Sequence, residues 1–129
     1  MFEQEFKKFL GTEFKEYKGR DAVNKLLREK QGYVSDSFHR EDIGEIALIW
    51  GDENAGLAHI VKRRSQEKID TKEFLSDIPD VIENGVIAKG RSGRFEILYK
   101  NKMAVIAPEI YGNKLKFLLT AFKTRKNES

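Results

Sequence analysis

The chain has no cysteine, which at once excludes disulfide stapling, thiolate metal sites and a nucleophilic thiol. Proline is almost as scarce, with two residues, and there are only two histidines. Long apolar runs are missing as well. Ile46 to Trp50, as long as any, suits a buried strand and is far too short to span a membrane. The opening residues mix phenylalanine with glutamate and lysine and lack the apolar centre of a signal peptide. There is no nucleotide-binding glycine loop and no serine-hydrolase elbow. Nor do His, Asp and Glu cluster at metal-ligand spacing, so neither a metal nor another cofactor is expected, and no membrane partner.

What is present suits one domain covering all 129 residues. Apolar residues make up 40% of the chain, enough for one core, and charged residues 35%. A formal charge of +3 and a pI near 9.0 permit a polyanionic partner without requiring one. Phe2, Phe6, Phe9, Leu10, Phe14 and Tyr17 recur every three or four residues, which predicts a helix, interrupted at Gly11, within an N-terminal extension over 1–20. A second helix is predicted after Asp21 as its cap, ending near Gly32. Residues 35–42 read as a polar connector. A strand over 44–50, a turn over 51–54 and a helix over 55–66 follow. A further helix over 71–83 carries Pro79, which predicts a kink or two short helices. From Val86 the pattern becomes that of strands: 86–89, 94–100, 103–107 and 115–122, then a polar tail over 123–129. The order predicts an α+β fold, with N-terminal helices packed on one face of an antiparallel β-meander sheet and a core over 21–122.

Two groups of residues carry chemistry. His59 and Arg63 are four apart on a predicted helix, so both project from one face, a proton-transfer group beside a phosphate clamp. A histidine bonded to backbone and an arginine in a surface ion pair fit the same spacing. On the strands, alternation sets Arg94, Glu96 and Leu98 on one face, and likewise Lys116, Leu118, Thr120 and Phe122, leaving Leu115, Phe117, Leu119 and Ala121 for the core. Such polar groups could bind a substrate or simply form a solvated sheet face. The loop Gly90-Arg91-Ser92-Gly93 suits either a phosphate contact or an ordinary hairpin connection.

The run Gly44-Glu-Ile-Ala-Leu-Ile-Trp-Gly51, followed by Gly56-Leu-Ala-His-Ile60 and Arg63, resembles the phage and polymorphic-toxin branch of the superfamily of barnase, EndoU, colicin-type and RelE-like nucleases. That branch carries a "WG…GLxHIxxRH" motif. Arg94 and the terminal Leu119-Thr-Ala-Phe122 also look like it, and the similarity spans roughly Asp21 to Phe122. In place of the motif's second histidine stands Arg64. The resemblance implies a barnase- or RelE-like fold and a metal-independent endoribonuclease working by 2′-hydroxyl transesterification. In that reading His59, Arg94 and Thr120 are catalytic, while Arg63, Arg64, Lys116 and Glu96 bind substrate. His39 is a remote candidate for a second acid/base. The implied partners are RNA, tRNA among the candidates, and an antitoxin or immunity protein. The implied location is the cytoplasm, its own or that of a target cell. The alternatives are a non-catalytic RNA-binding domain or a protein-interaction domain with the same fold.

Overall fold

A computed structural model describes residues 2–67 and 69–124; Arg125, Lys126 and the rest of the expected tail after 124 lie outside them. Along the chain run α1 (Phe2–Leu10), α2 (Gly19–Glu29), β1 (Tyr33–Arg40), β2 (Gly44–Ile49), α3 (Leu57–Ser65) and α4 (Thr71–Asn84). They are followed by β3 (Val86–Lys89), a 3-10 turn at Arg91–Gly93, β4 (Phe95–Tyr99), β5 (Lys102–Ile110) and β6 (Asn113–Lys123).

The first helix stops at Gly11 rather than reaching Tyr17. Residues beyond it turn extended and run beside β1, with Phe14 N–H donating to the Tyr33 carbonyl and Tyr33 N–H to that of Thr12, each at 2.9 Å. Lys18, not Asp21, is the N-cap residue of α2, and Asp21 sits in its first turn, where a carboxylate still complements the helix dipole. The helix closes on a left-handed Lys30, two residues before Gly32. In α4, Asp70 accepts the Glu73 N–H at 3.1 Å as a side-chain cap. Pro79 does not divide this helix: its missing N–H deprives only the Leu75 carbonyl of a partner, and its ring is buried in the core.

Residues 35–42 are not a connector. They supply most of β1, an edge strand whose Ser37 and Phe38 are buried side by side at a break in its pairing register. That break defeats a period-2 reading, and the strand's open edge tolerates the polar remainder.

The six strands form one sheet in the order β1-β2-β6-β5-β4-β3. The α+β class stands, but the sheet is mixed: β2 pairs with β6 in parallel at Ala47↔Phe117, while the other pairs are antiparallel. The helices also divide between its faces. Helices α2 and α4 cover one face, packing Leu26, Phe74, Ile78 and Ile82 on Ile46, Leu48, Ile106 and Leu118. Helix α1 covers part of the other, with Phe9 and Leu10 on Ala47, Ile49, Ala107 and Phe117.

Strand β6 does not alternate simply. Ile106 faces Leu118 and Val105 faces Thr120, so Leu119 is an extra residue, a β-bulge. The bulge corrects the expected face assignments. Leu118 and Ala121 both enter the α2/α4 core, Leu119 joins the α1 side, and Thr120 and Phe122 face that side too. Lys116, alternating with Phe117, therefore points to the face opposite Thr120.

Candidate active site

The site is built around the link between β2 and α3. Gly51 has φ +70°, and a Cβ there would lie 2.1 Å from the Ala55 carbonyl oxygen; Gly56 has φ +96°, with its would-be Cβ 2.8 Å from the Ile49 oxygen. Both positions demand glycine, because an L side chain would be strained and in collision. They close a tight loop in which Asp52 N–H donates to the Ala55 carbonyl at 3.0 Å. The Asp52 carboxylate in turn accepts the Asn54 N–H at 2.9 Å. Ala58 N–H then donates to the Trp50 carbonyl at 2.8 Å, fixing the first turn of α3 over the end of β2.

His59 is half-buried on α3, and its Nδ1 lies 2.9 Å from the Glu53 carbonyl oxygen. A carbonyl can only accept, so Nδ1 carries a proton, and the ring in its neutral form presents the Nε2 lone pair. The loop that holds the ring is itself held: Lys62 pairs with the Glu53 carboxylate, and this pairing lowers the Glu53 pKa below the ordinary carboxylate range. Arg63, one turn beyond His59, is exposed, and its side chain makes no hydrogen bond or ion pair with the described residues.

The 51–55 loop belongs to the α1 side of the sheet, since Ala55 packs in the α1 cluster and Gly51 lies against Phe9. His59, turned towards that loop, therefore hangs beside the α1-side sheet face. Cross-strand pairing sets Ala88, Glu96, Val105 and Thr120 in one row on that face. The next row is Val86, Leu98, Met103 and Phe122. These rows open to solvent at their β3 and β4 end, where Val86 is 75% and Leu98 41% exposed, while Val105 is buried. Glu96 and Thr120 are half-buried, and Arg94, two residues before Glu96, is exposed. The Glu96 carboxylate lies close to Gly90, where the loop over 90–93 turns back on itself through a Gly90 N–H to Arg94 carbonyl bond of 2.8 Å.

Of the residues singled out from the sequence, Glu96 and Thr120 thus share one sheet face, Arg94 lies two residues before Glu96, and His59 turns to the loop on that same side, while Arg63 projects from the outer side of α3. Two others lie elsewhere. Lys116 lies near the start of β6, beside Pro108, Glu109 and Lys114, on the opposite face. Arg64, read as a substrate-binding cation, is 4% exposed; Nη1 donates to the Ala121 carbonyl and Nη2 to Glu67 at 2.8 Å, so its charge is used inside the fold. His39 sits near the β1–β2 turn with Nδ1 2.8 Å from Glu45 Oε2, towards the other end of the sheet from Thr120. The backbone carbonyl of Glu53 is the participant the sequence did not reveal, for a carbonyl leaves no residue-type signature. Among the described residues no three His, Cys, Asp or Glu side chains gather as a metal-binding group.

Residues 37–128 match the model of the phage-Barnase-EndoU-ColicinE5/D-RelE like nuclease1 family. The chain belongs to this family. Neither a curated protein nor a solved structure matches it. The matched range contains β2, the glycine-framed loop, His59 on α3 and the whole β3–β6 meander, while α1 and α2 lie outside it. Membership agrees with the α+β, barnase-like architecture and points to nuclease activity, with nucleic acid as the substrate. No helix among the described residues is long and apolar enough to cross a membrane.

Proposed function

We propose that the protein is a metal-independent endoribonuclease. The observation that carries this reading is the single tautomer of His59: Nδ1–H is committed to the Glu53 carbonyl, which leaves Nε2 as a base beside the open sheet face. The RNA 2′-hydroxyl attacks the adjacent phosphorus, forming the O2′–P bond and breaking P–O5′. Its proton passes to His59 Nε2, and solvent protonates the departing 5′-oxygen, leaving a 2′,3′-cyclic phosphate and a 5′-hydroxyl. Arg94 and Arg63 neutralise charge on the phosphate oxygens, and Thr120 donates a hydrogen bond to one of them. Glu96, in the row of Thr120, accepts hydrogen bonds from the sugar or base. Arg64 and Lys116 have no part in this reading, given their placement. The family's phage and toxin associations favour tRNA among the RNA targets, action in a cytoplasm, and an acidic immunity protein or antitoxin that covers this face.

Purified protein and His59→Ala are incubated with total RNA, tRNA and DNA in EDTA, and the ends are mapped. Cleavage of RNA alone, surviving EDTA, leaving cyclic phosphates and falling by about 10²–10⁴ in the variant, is the expected result. DNA cut as readily as RNA would sink the 2′-hydroxyl chemistry. A second reading, RNA binding without cleavage, is favoured by the position of His39, far from His59 along the sheet. It predicts salt-dependent affinity with no turnover by either protein.

A further inference from the structure

Strand β2 pairs with β6 at Ala47↔Phe117 and ends at Ile49, so the later part of β6 faces no strand on that side. Two of its backbone carbonyls, those of Leu119 and Ala121, turn outwards there, and α3 supplies the donors. Gly56 N–H, at the head of α3, bonds to the Leu119 oxygen at 2.9 Å. The Arg64 guanidinium, near the tail of α3, bonds to the Ala121 oxygen. His59 lies between the two attachment points on the helix, and Thr120 lies between them on the strand.

The second attachment is an unusual choice. The Arg64 side chain is buried against Phe74, 6.0 Å from guanidinium carbon to ring centroid, and burial lowers its pKa. Its Nε has no hydrogen-bond partner. Among the described residues only Glu67, itself partly exposed, pairs with the charge. For stability alone, an apolar side chain of similar volume would hold the helix against the core without these costs. What an apolar residue cannot do is bond the Ala121 carbonyl and so fix where the end of α3 stands along β6.

We propose that Arg64 is a positioning residue: with Gly56 it pins α3 to the bulged end of β6 at two points, and so fixes His59 relative to Thr120. The inference rests on the endoribonuclease reading for its kinetic consequence and on geometry alone for its structural one.

The test compares Arg64→Met, which keeps length and loses the donors, with Arg64→Lys, which keeps one, and with Glu67→Gln, which weakens the hold on the guanidinium and is the milder variant should Arg64→Met not fold. Each is assayed on a mixed-sequence fluorescent oligoribonucleotide at a temperature where circular dichroism shows it folded. His59 ring nitrogen shifts and the Thr120 amide shift are read by NMR on the same samples. The expected result is a fall in kcat of tenfold or more for Arg64→Met with KM within twofold, smaller falls for Lys and Gln, and displaced His59 and Thr120 signals in proportion. A folded Arg64→Met, or Glu67→Gln in its place, with unchanged kcat and His59 and Thr120 shifts as in the parent, overturns the proposal. If the parent cuts no RNA, the endoribonuclease reading fails and the NMR comparison still decides this one.

Discussion

Gly51 and Gly56 frame the loop that orients His59, and both hold backbone conformations closed to other residues. Alanine at either is expected to destabilise the protein by more than about 1 kcal/mol, because it combines a positive φ with a Cβ inside contact distance of a carbonyl oxygen. Urea unfolding would measure the loss. The loop's Nδ1 contact should weaken in parallel, seen as a change in the His59 ring shifts in whatever fraction stays folded. At this scale the sequence was partly readable. The pairing of His59 with Arg63 follows from a spacing of four, and both do share the outer side of α3. The role of Arg64 was not readable, since a helical position next to an exposed arginine can face either way. Only packing against Phe74 and Ala121 shows that it faces inward.

Among the elements, β1 and α4 depend on each other through Arg40. Its Nη1 donates to the Ile82 and Gly85 carbonyls at 2.7 and 2.9 Å, satisfying acceptors at the C-terminal end of α4. Its Nε and Nη2 hold Asp42, each at 2.9 Å. Arg40→Met is expected to cost about 1–3 kcal/mol by leaving those carbonyls without a donor, measured by denaturant titration. The Arg40 guanidinium also lowers the Asp42 pKa below the ordinary carboxylate range. A folded-state pKa lower than the unfolded one, about 3.9, means that the contribution of this pair is present above that value and is lost as pH falls through the folded one. Asp42→Asn should therefore lower stability near neutrality, where this contribution is present, and make stability less dependent on pH in the acid range, read from urea unfolding at several pH values. Helices α2 and α4 and the meander strands were legible from their periodicity. Strand β1 was not, because Ser35, Asp36 and Ser37 lie where one edge is open and the register breaks, so neither composition nor alternation marks a strand.

For the molecule as a whole, the sheet has helices on both faces, and α1 packs on the active-site side together with the loop over 51–55. Phe9 meets Tyr111 and Phe117 edge-on, each with ring centroids 5.9 Å apart. Phe9→Ala is expected to cost about 3–5 kcal/mol, read from guanidinium unfolding. Because Phe9 also lies against Gly51, in the loop that orients His59, the variant should cut RNA more slowly even while it remains folded. Neither the helix's placement nor the parallel β2–β6 pair was legible. Each depends on which distant segments meet, and amphipathic patterning tells how much of an element is buried without telling against what.

The bulge at Leu119 has a consequence for how this strand can vary. It acts as a phase shift of one residue between two reading frames of side chains. Upstream the core frame passes through Leu118, and downstream it resumes at Ala121, three positions on rather than two. Removing Leu119 would restore strict alternation with Leu118 and Ala121 both still in the core, but it would take away the outward carbonyl that receives the Gly56 N–H. The length of this stretch is therefore set by the attachment of α3 and not by the two faces of the strand.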